Sequence, residues 1–228
     1  MSDLFAFDLE DGLASGECPV CFALAVHMRR WIDAFWREGR QSPEARKRFY
    51  AGGGFCARHA WQLHELVTAG GESGAAITDL YGHLAEQDVE ALAELLVGRR
   101  TRRAENAPAL QRRYSCAACA EESEALPRKA EFFLELLATS SARARYEHAA
   151  AVCRPHLATL VDAAGKREEL SRYLLEDWRR RLVELRSRLA SYDRTRDHRF
   201  KAERTVDDER SWTDVIRHYV GQAPGWTN

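Results

Sequence analysis

Six cysteines and two histidines form four short motifs: Cys18-Pro-Val-Cys21, Cys56-Ala-Arg-His59, Cys116-Ala-Ala-Cys119 and Cys153-Arg-Pro-His156. Every cysteine of the 228-residue chain belongs to one of them. Cys21 and Cys56 are 35 positions apart, and Cys119 and Cys153 are 34 apart. Cys18 and Cys116 differ by 98 positions, and His59 and His156 by 97. A CxxC-then-CxxH unit therefore occurs twice with a period near 98, longer than solenoid repeats, which points to two sister domains.

These residue types at this spacing suit a metal ion. Two thiolates at i and i+3, on a turn entering a helix, reach one centre about 2.3 Å from each sulfur. A CxxH adds one thiolate and one imidazole nitrogen, and three Cys with one His saturate a tetrahedral zinc ion. A helix N-terminus helps, because its unpaired N–H groups favour the thiolate. The simplest result of duplicating a complete unit is one ion per half. Cys18, Cys21, Cys56 and His59 would hold the first, and Cys116, Cys119, Cys153 and His156 the second. Pairing across the halves is the alternative and would intertwine them. Three Cys and one His also suit an iron–sulfur cluster, and the spacing does not separate the two cofactors. Disulfides would need an oxidising compartment. A thioredoxin-like pair would need a βαβ context that is absent here. His27, His64, His83, His148, His198 and His218 are scattered and read as surface or half-buried residues, with His64 closest behind a motif.

The elements that must position these groups are helical. Leu24, Met28, Trp31 and Phe35 recur at helical spacing over residues 21–37. Ser42-Pro43 opens a short helix that ends at Gly52-Gly53-Gly54, and helices follow over about 56–68 and 75–98. The plan recurs in the second half over about 119–139, from Ser141 to about Ala151, then 153–164 and 166–190. Pro127 marks a kink or a first turn there. Residues 1–15 read as an acidic segment pinned in extended form by Leu4, Phe5, Phe7 and Leu9. Other positions echo at the same offset: Arg46, Arg48 and Phe49 with Arg143, Arg145 and Tyr146, and Leu63 with Leu160. No period-2 alternation of useful length occurs, so the expected fold is all-α, with two tandem helical repeats, each organised by a Cys3His site, plus a C-terminal helical tail. The expected boundaries are 1–98 for the first repeat, 99–115 for a linker, 116–190 for the second repeat and 191–228 for the tail.

Composition narrows the function classes. Thirty-four Lys and Arg against 35 Asp and Glu give a net charge of −1, which argues against a globally basic nucleic-acid binder. Hydrophobic residues at 45% allow a sizeable core. No run of about 18 apolar residues suits a membrane span. The acidic N-terminus lacks an export pattern, so a cytoplasmic location is expected. Arg99, Arg100, Arg102, Arg103, Arg112 and Arg113 concentrate positive charge in the linker. Few aromatic residues interleave them, and they read as a solvated connection rather than a nucleic-acid contact. The tail carries Asp197-His-Arg-Phe200, Glu203 and Glu209-Arg-Ser-Trp212. A final helix to Gly221 is expected to lie across the repeats.

The duplicated CxxC and Gly54-Phe-Cys56-Ala-Arg-His59 plan, with Asp197-His-Arg-Phe200 and Ser211-Trp212 leading to Gly221, resembles a bacterial family of unknown function over nearly the whole chain. Two positions depart from the family's pattern. Ala151-Val152 stands where Gly-Phe precedes the cysteine, and His198 replaces Tyr. Neither removes a ligand, and the resemblance implies the metal motif without an activity.

The functional expectation is a metal-binding helical protein, most simply with two structural zinc ions, acting as a binding or adaptor module toward a protein or small-molecule partner. The alternatives are an iron–sulfur redox or sensing protein, or an enzyme with a site between the repeats near Asp197, His198, Arg199 and Glu203.

Overall fold

The computed structural model describes residues 2–71, 74–97 and 115–222. Among them are ten α-helices and no strand. They are α1 (Ser2–Ala14), α2 (Pro19–Arg37), α3 (Pro43–Ala51), α4 (Ala57–Ala69), α5 (Ala75–Val97), α6 (Ala117–Leu137), α7 (Ser140–His148), α8 (Arg154–Ala164), α9 (Glu168–Arg194) and α10 (Val206–Val220). The succession α2–α5 has the same order of long, short, medium and long helices as α6–α9. All but Ser115 of the linker expected over 99–115 lies outside the described residues, and so does its arginine cluster.

Local chemistry sets several boundaries. The Ser42 hydroxyl accepts from the Ala45 N–H, with Pro43 at the first helical position of α3. Thr139 does the same for α7, accepting from the Ala142 N–H. Helix α10 opens with a reciprocal box: Thr205 Oγ1 accepts from the Asp208 N–H, and Asp208 Oδ2 accepts from the Thr205 N–H. Pro127 lies inside α6 and opens no helix. The N-terminal segment departs from the extended form expected of it. It is helical, because Leu9 and Leu13, four positions apart, share one buried face while Phe7 points outward.

The chain divides into two compact units, and they are not the two sequence halves. One comprises Met1–Val26 and Ala125–Asn228, the other His27–Glu124. The expected boundaries 1–98 and 116–190 therefore do not coincide with the compact units. The divisions fall within α2 and α6, so each unit contains the start of one of these helices and the end of the other.

In the first unit Leu9, Val20 and Leu24 join Phe133, Leu137, Tyr146, Leu160 and Leu174 in one apolar core. Helix α10 lies against α9 and α8 in this unit. In the second unit Phe49 is the hub of an aromatic core. Its ring lies 5.1 Å from Phe55, 5.4 Å from Tyr81 and 5.8 Å from Phe35. Phe49 and Tyr146, which echo each other in sequence, are both core residues, as are Leu63 and Leu160.

A buried ion pair fastens α1. Lys129 Nζ on α6 lies 2.8 Å from Asp8 Oδ2, and both side chains are almost completely buried. Removing one partner leaves a desolvated charge, whereas replacing both with apolar groups removes the penalty. Asp8→Ala is expected to cost about 3–5 kcal/mol in urea unfolding. The double variant Asp8→Leu/Lys129→Met is expected to cost clearly less.

Candidate metal centres

The eight expected ligands converge in two groups, but not in the expected pairing. Cys18, Cys21, Cys153 and His156 form one group, here centre I, and Cys56, His59, Cys116 and Cys119 form the other, centre II. Each CxxC therefore meets the CxxH of the opposite half, which corrects the pairing within each repeat. Helix length is the physical reason. Helix α2 has 19 residues and α6 has 21, so each carries the chain roughly 28–32 Å at about 1.5 Å per residue before its own CxxH can follow. Within the second unit the start of α6 lies beside the later turns of α2, where His27 Nε2 meets Glu121 Oε1 at 2.8 Å. The CxxH that follows α2 therefore finds the CxxC that opens α6.

All four donor atoms of each group lie within 4.8 Å of one another. In centre I, His156 Nδ1 is 3.5, 3.4 and 3.2 Å from the sulfurs of Cys18, Cys21 and Cys153. The Cys21 and Cys153 sulfurs are 3.8 Å apart. In centre II, His59 Nδ1 is 3.3, 3.5 and 3.4 Å from the sulfurs of Cys56, Cys116 and Cys119. The Cys56 and Cys119 sulfurs are 3.6 Å apart. A tetrahedral ion with bonds of about 2.3 Å to sulfur and about 2.0–2.1 Å to nitrogen demands edges of about 3.8 Å between sulfurs and about 3.5 Å between nitrogen and sulfur. Both donor sets fit such an ion. The same sulfurs are far beyond the bond length of about 2.05 Å that a disulfide needs.

Each CxxH sits at a helix start. Cys56 and Cys153 are the N-cap residues of α4 and α8, in extended backbone conformation. Burial works against the Cys56 thiolate. The N–H groups of His59 and Arg58, with the neighbouring Cys119 and Cys116, outweigh it and lower its pKa. Cys119 goes the other way: burial and the adjacent sulfurs of Cys56 and Cys116 push it up to about 12. Three clustered thiols cannot all ionise without a cation between them. Burial lowers His59 to about 4, so its imidazole is neutral and can donate a lone pair. Burial acts in the same sense on His156, but hydrogen bonding with Cys153, Cys18 and Cys21 overcomes it and raises this group to about 12.

The surroundings of the centres differ. In centre II, Arg58 forks onto the Glu122 carboxylate, whose Oε2 is 4.0 Å from His59 Nε2. Glu122 thus places a carboxylate charge beside the ring nitrogen opposite the donor, without a direct hydrogen bond to it. Gly52 admits the strand of chain that delivers Cys116, since a Cβ there would lie 2.5 Å from the Ser115 carbonyl oxygen. Centre I is sealed by the end of α10. A Cβ on Gly221 would lie 3.0 Å from Cys21 Sγ and 3.3 Å from Cys153 Sγ, and its φ of +86° disfavours any side chain. No sequence motif marks Glu122 or Gly52, because their surroundings are built from partners distant in sequence. Gly221 was visible only as a helix terminator.

The remaining candidates stand apart from the centres. His64 is exposed on α4, its ring 5.3 Å from Trp61. Asp197, Arg199 and Glu203 form surface ion pairs after α9. Asp197 meets Arg199 at 2.6 Å, Glu203 meets Arg194 at 2.5 Å, and His198 is almost fully exposed. The Arg199 guanidinium holds the Asp197 carboxyl below the usual carboxylate range.

The crossed pairing makes a distinctive prediction. Cys18→Ser and Cys153→Ser, from opposite halves, are expected to cost the same single ion, and Cys56→Ser the other, read by elemental analysis of each variant. Gly221→Ala is expected to weaken binding at centre I alone. Because an incoming ion displaces protons from these thiols, both ions are expected to leave as the pH falls, followed with a metal-sensitive dye. No family model, no curated protein and no solved structure matches this chain.

Proposed function

We propose that the protein is a helical binding module in which each centre holds one zinc ion in a structural role. The observation that carries this reading is the pair of closed donor sets, three sulfurs and one Nδ1 at the edge lengths of a single tetrahedral ion. Four protein donors leave no coordination position for water or substrate, whereas catalytic zinc keeps one open. The close spacing of all four donors also favours a mononuclear ion over a cluster, which would spread its ligands around two or more irons. On this reading the ions tie distant segments together, and their binding free energy supports folding. The motif's resemblance to a bacterial family points to the same donor set. No described helix is long and apolar enough to cross a membrane.

Elemental analysis and a visible spectrum of anaerobically purified protein test the reading. Two equivalents of zinc and no absorption near 400 nm are expected. A coloured protein containing iron and acid-labile sulfide would replace zinc with a cluster. Removal of the metal with a chelator is expected to abolish cooperative unfolding, and an unchanged melting curve would end the structural role.

A further inference from the structure

Helix α10 is inverted relative to an ordinary surface helix. It buries Asp208, Ser211 and His218, while Trp212, Ile216 and Tyr219 point outward at 54%, 52% and 40% exposure. A helix that served packing alone would turn its apolar stripe inward. Of these three buried residues His218 lines a pocket of about 240 Å³, together with Asp214 and the exposed Arg217 of the same helix, residues of α9 and the turn before Cys18. That is the volume of about eight waters at ~30 Å³ each, and below the ~300–1,000 Å³ of drug-sized sites.

The chemistry of the lining is specific once internal pairs are set aside. Arg181 spends its guanidinium on Asp177 and on the carbonyls of Ala149 and Tyr146. Glu184 pairs with Arg180. Arg188 and Arg217 then share a single carboxylate, Asp214, at 2.9 and 3.7 Å. One guanidinium charge is in surplus. Opposite it, Glu17 Oε2 and His218 Nε2 are buried without a hydrogen-bond partner. His218 is 7% exposed and stacks on Trp178 at 4.6 Å. Burial and the Arg181 charge lower its pKa, so it is neutral and can accept as well as donate.

A site for an anion would carry excess cation, and a site for a cation excess acid. Here one surplus charge of each sign flanks a neutral imidazole. We propose that this pocket binds a small zwitterion of the free amino-acid class. Arg188 and Arg217 hold its carboxylate, Glu17 pairs with its ammonium group, and His218 Nε2 takes a further N–H. Cys18, a ligand of centre I, also lines the pocket, so the two sites adjoin.

Thermal shift on the metal-loaded full chain, with the protein amino acids as probes and acetate and methylammonium as half-ligand controls, tests the proposal. At least one amino acid is expected to raise the melting temperature saturably, with neither control matching it. His218→Phe keeps the stacking on Trp178 and removes the nitrogen. It is expected to weaken the binding at least about tenfold while retaining both metal equivalents. Arg217→Met is expected to weaken it similarly and serves if the first variant does not fold. A flat response to every amino acid, an equal response to acetate alone, or unchanged binding in both variants would overturn the proposal. Metal content, measured on the same samples, separates this outcome from failure of the zinc reading.

Discussion

The structure depends on a mismatch between motif spacing and helix length. A CxxC at the start of a helix of 19 or 21 residues is carried far from the CxxH that follows it. Each donor set is completed instead by the other half of the chain. In centre I the bridged cysteines, Cys21 and Cys153, are 132 positions apart, and in centre II Cys56 and Cys119 are 63 apart. Closing the longer loop costs roughly 4–5 kcal/mol of chain entropy. A structural ion in a closed thiolate site supplies about 10–16 kcal/mol at neutral pH, enough to offset that cost. Neither compact unit coincides with a sequence half: one joins Met1–Val26 to Ala125–Asn228, and the other is the single stretch His27–Glu124.

The two centres share a donor set but not a setting. Centre II has a charged outer layer, with Arg58 beside Cys119 and forked onto Glu122, which faces His59. A cationic side chain next to three thiolates offsets their charge where a divalent ion cannot cancel it fully. Centre I relies on steric closure by Gly221 at the end of α10. Its integrity is thereby coupled to the last helix, which has no counterpart in the first half of the sequence. Damage to α10 should register at centre I and leave centre II unaffected.

That last helix also departs from the ordinary preference of a surface helix for an apolar inward face. Thr205 and Asp208 cap it firmly, and Asp208 further accepts from Ser191 on α9. These polar anchors replace the apolar packing that normally fastens a surface helix. They place His218 on the inward face with Asp208 and Ser211, and they leave Trp212 and Ile216 in solvent.

Much of this was legible in the sequence. Helical periodicity, the Ser42-Pro43 start and the glycine runs are local signals, and they locate nine of the ten α-helices among the described residues to within a few residues. The identity of all eight ligands was equally local, because CxxC and CxxH place donors on one turn. The N-terminal helix was missed because its acidic composition hid the i, i+4 pair Leu9 and Leu13. The pairing of the donor sets was not legible at all. Either pairing satisfies the same motif, and only the direction and length of α2 and α6 decide which CxxH each CxxC can reach. The surroundings of Gly221, Glu122 and His218 likewise follow from tertiary structure, since each depends on an atom brought close by packing rather than by chain connectivity.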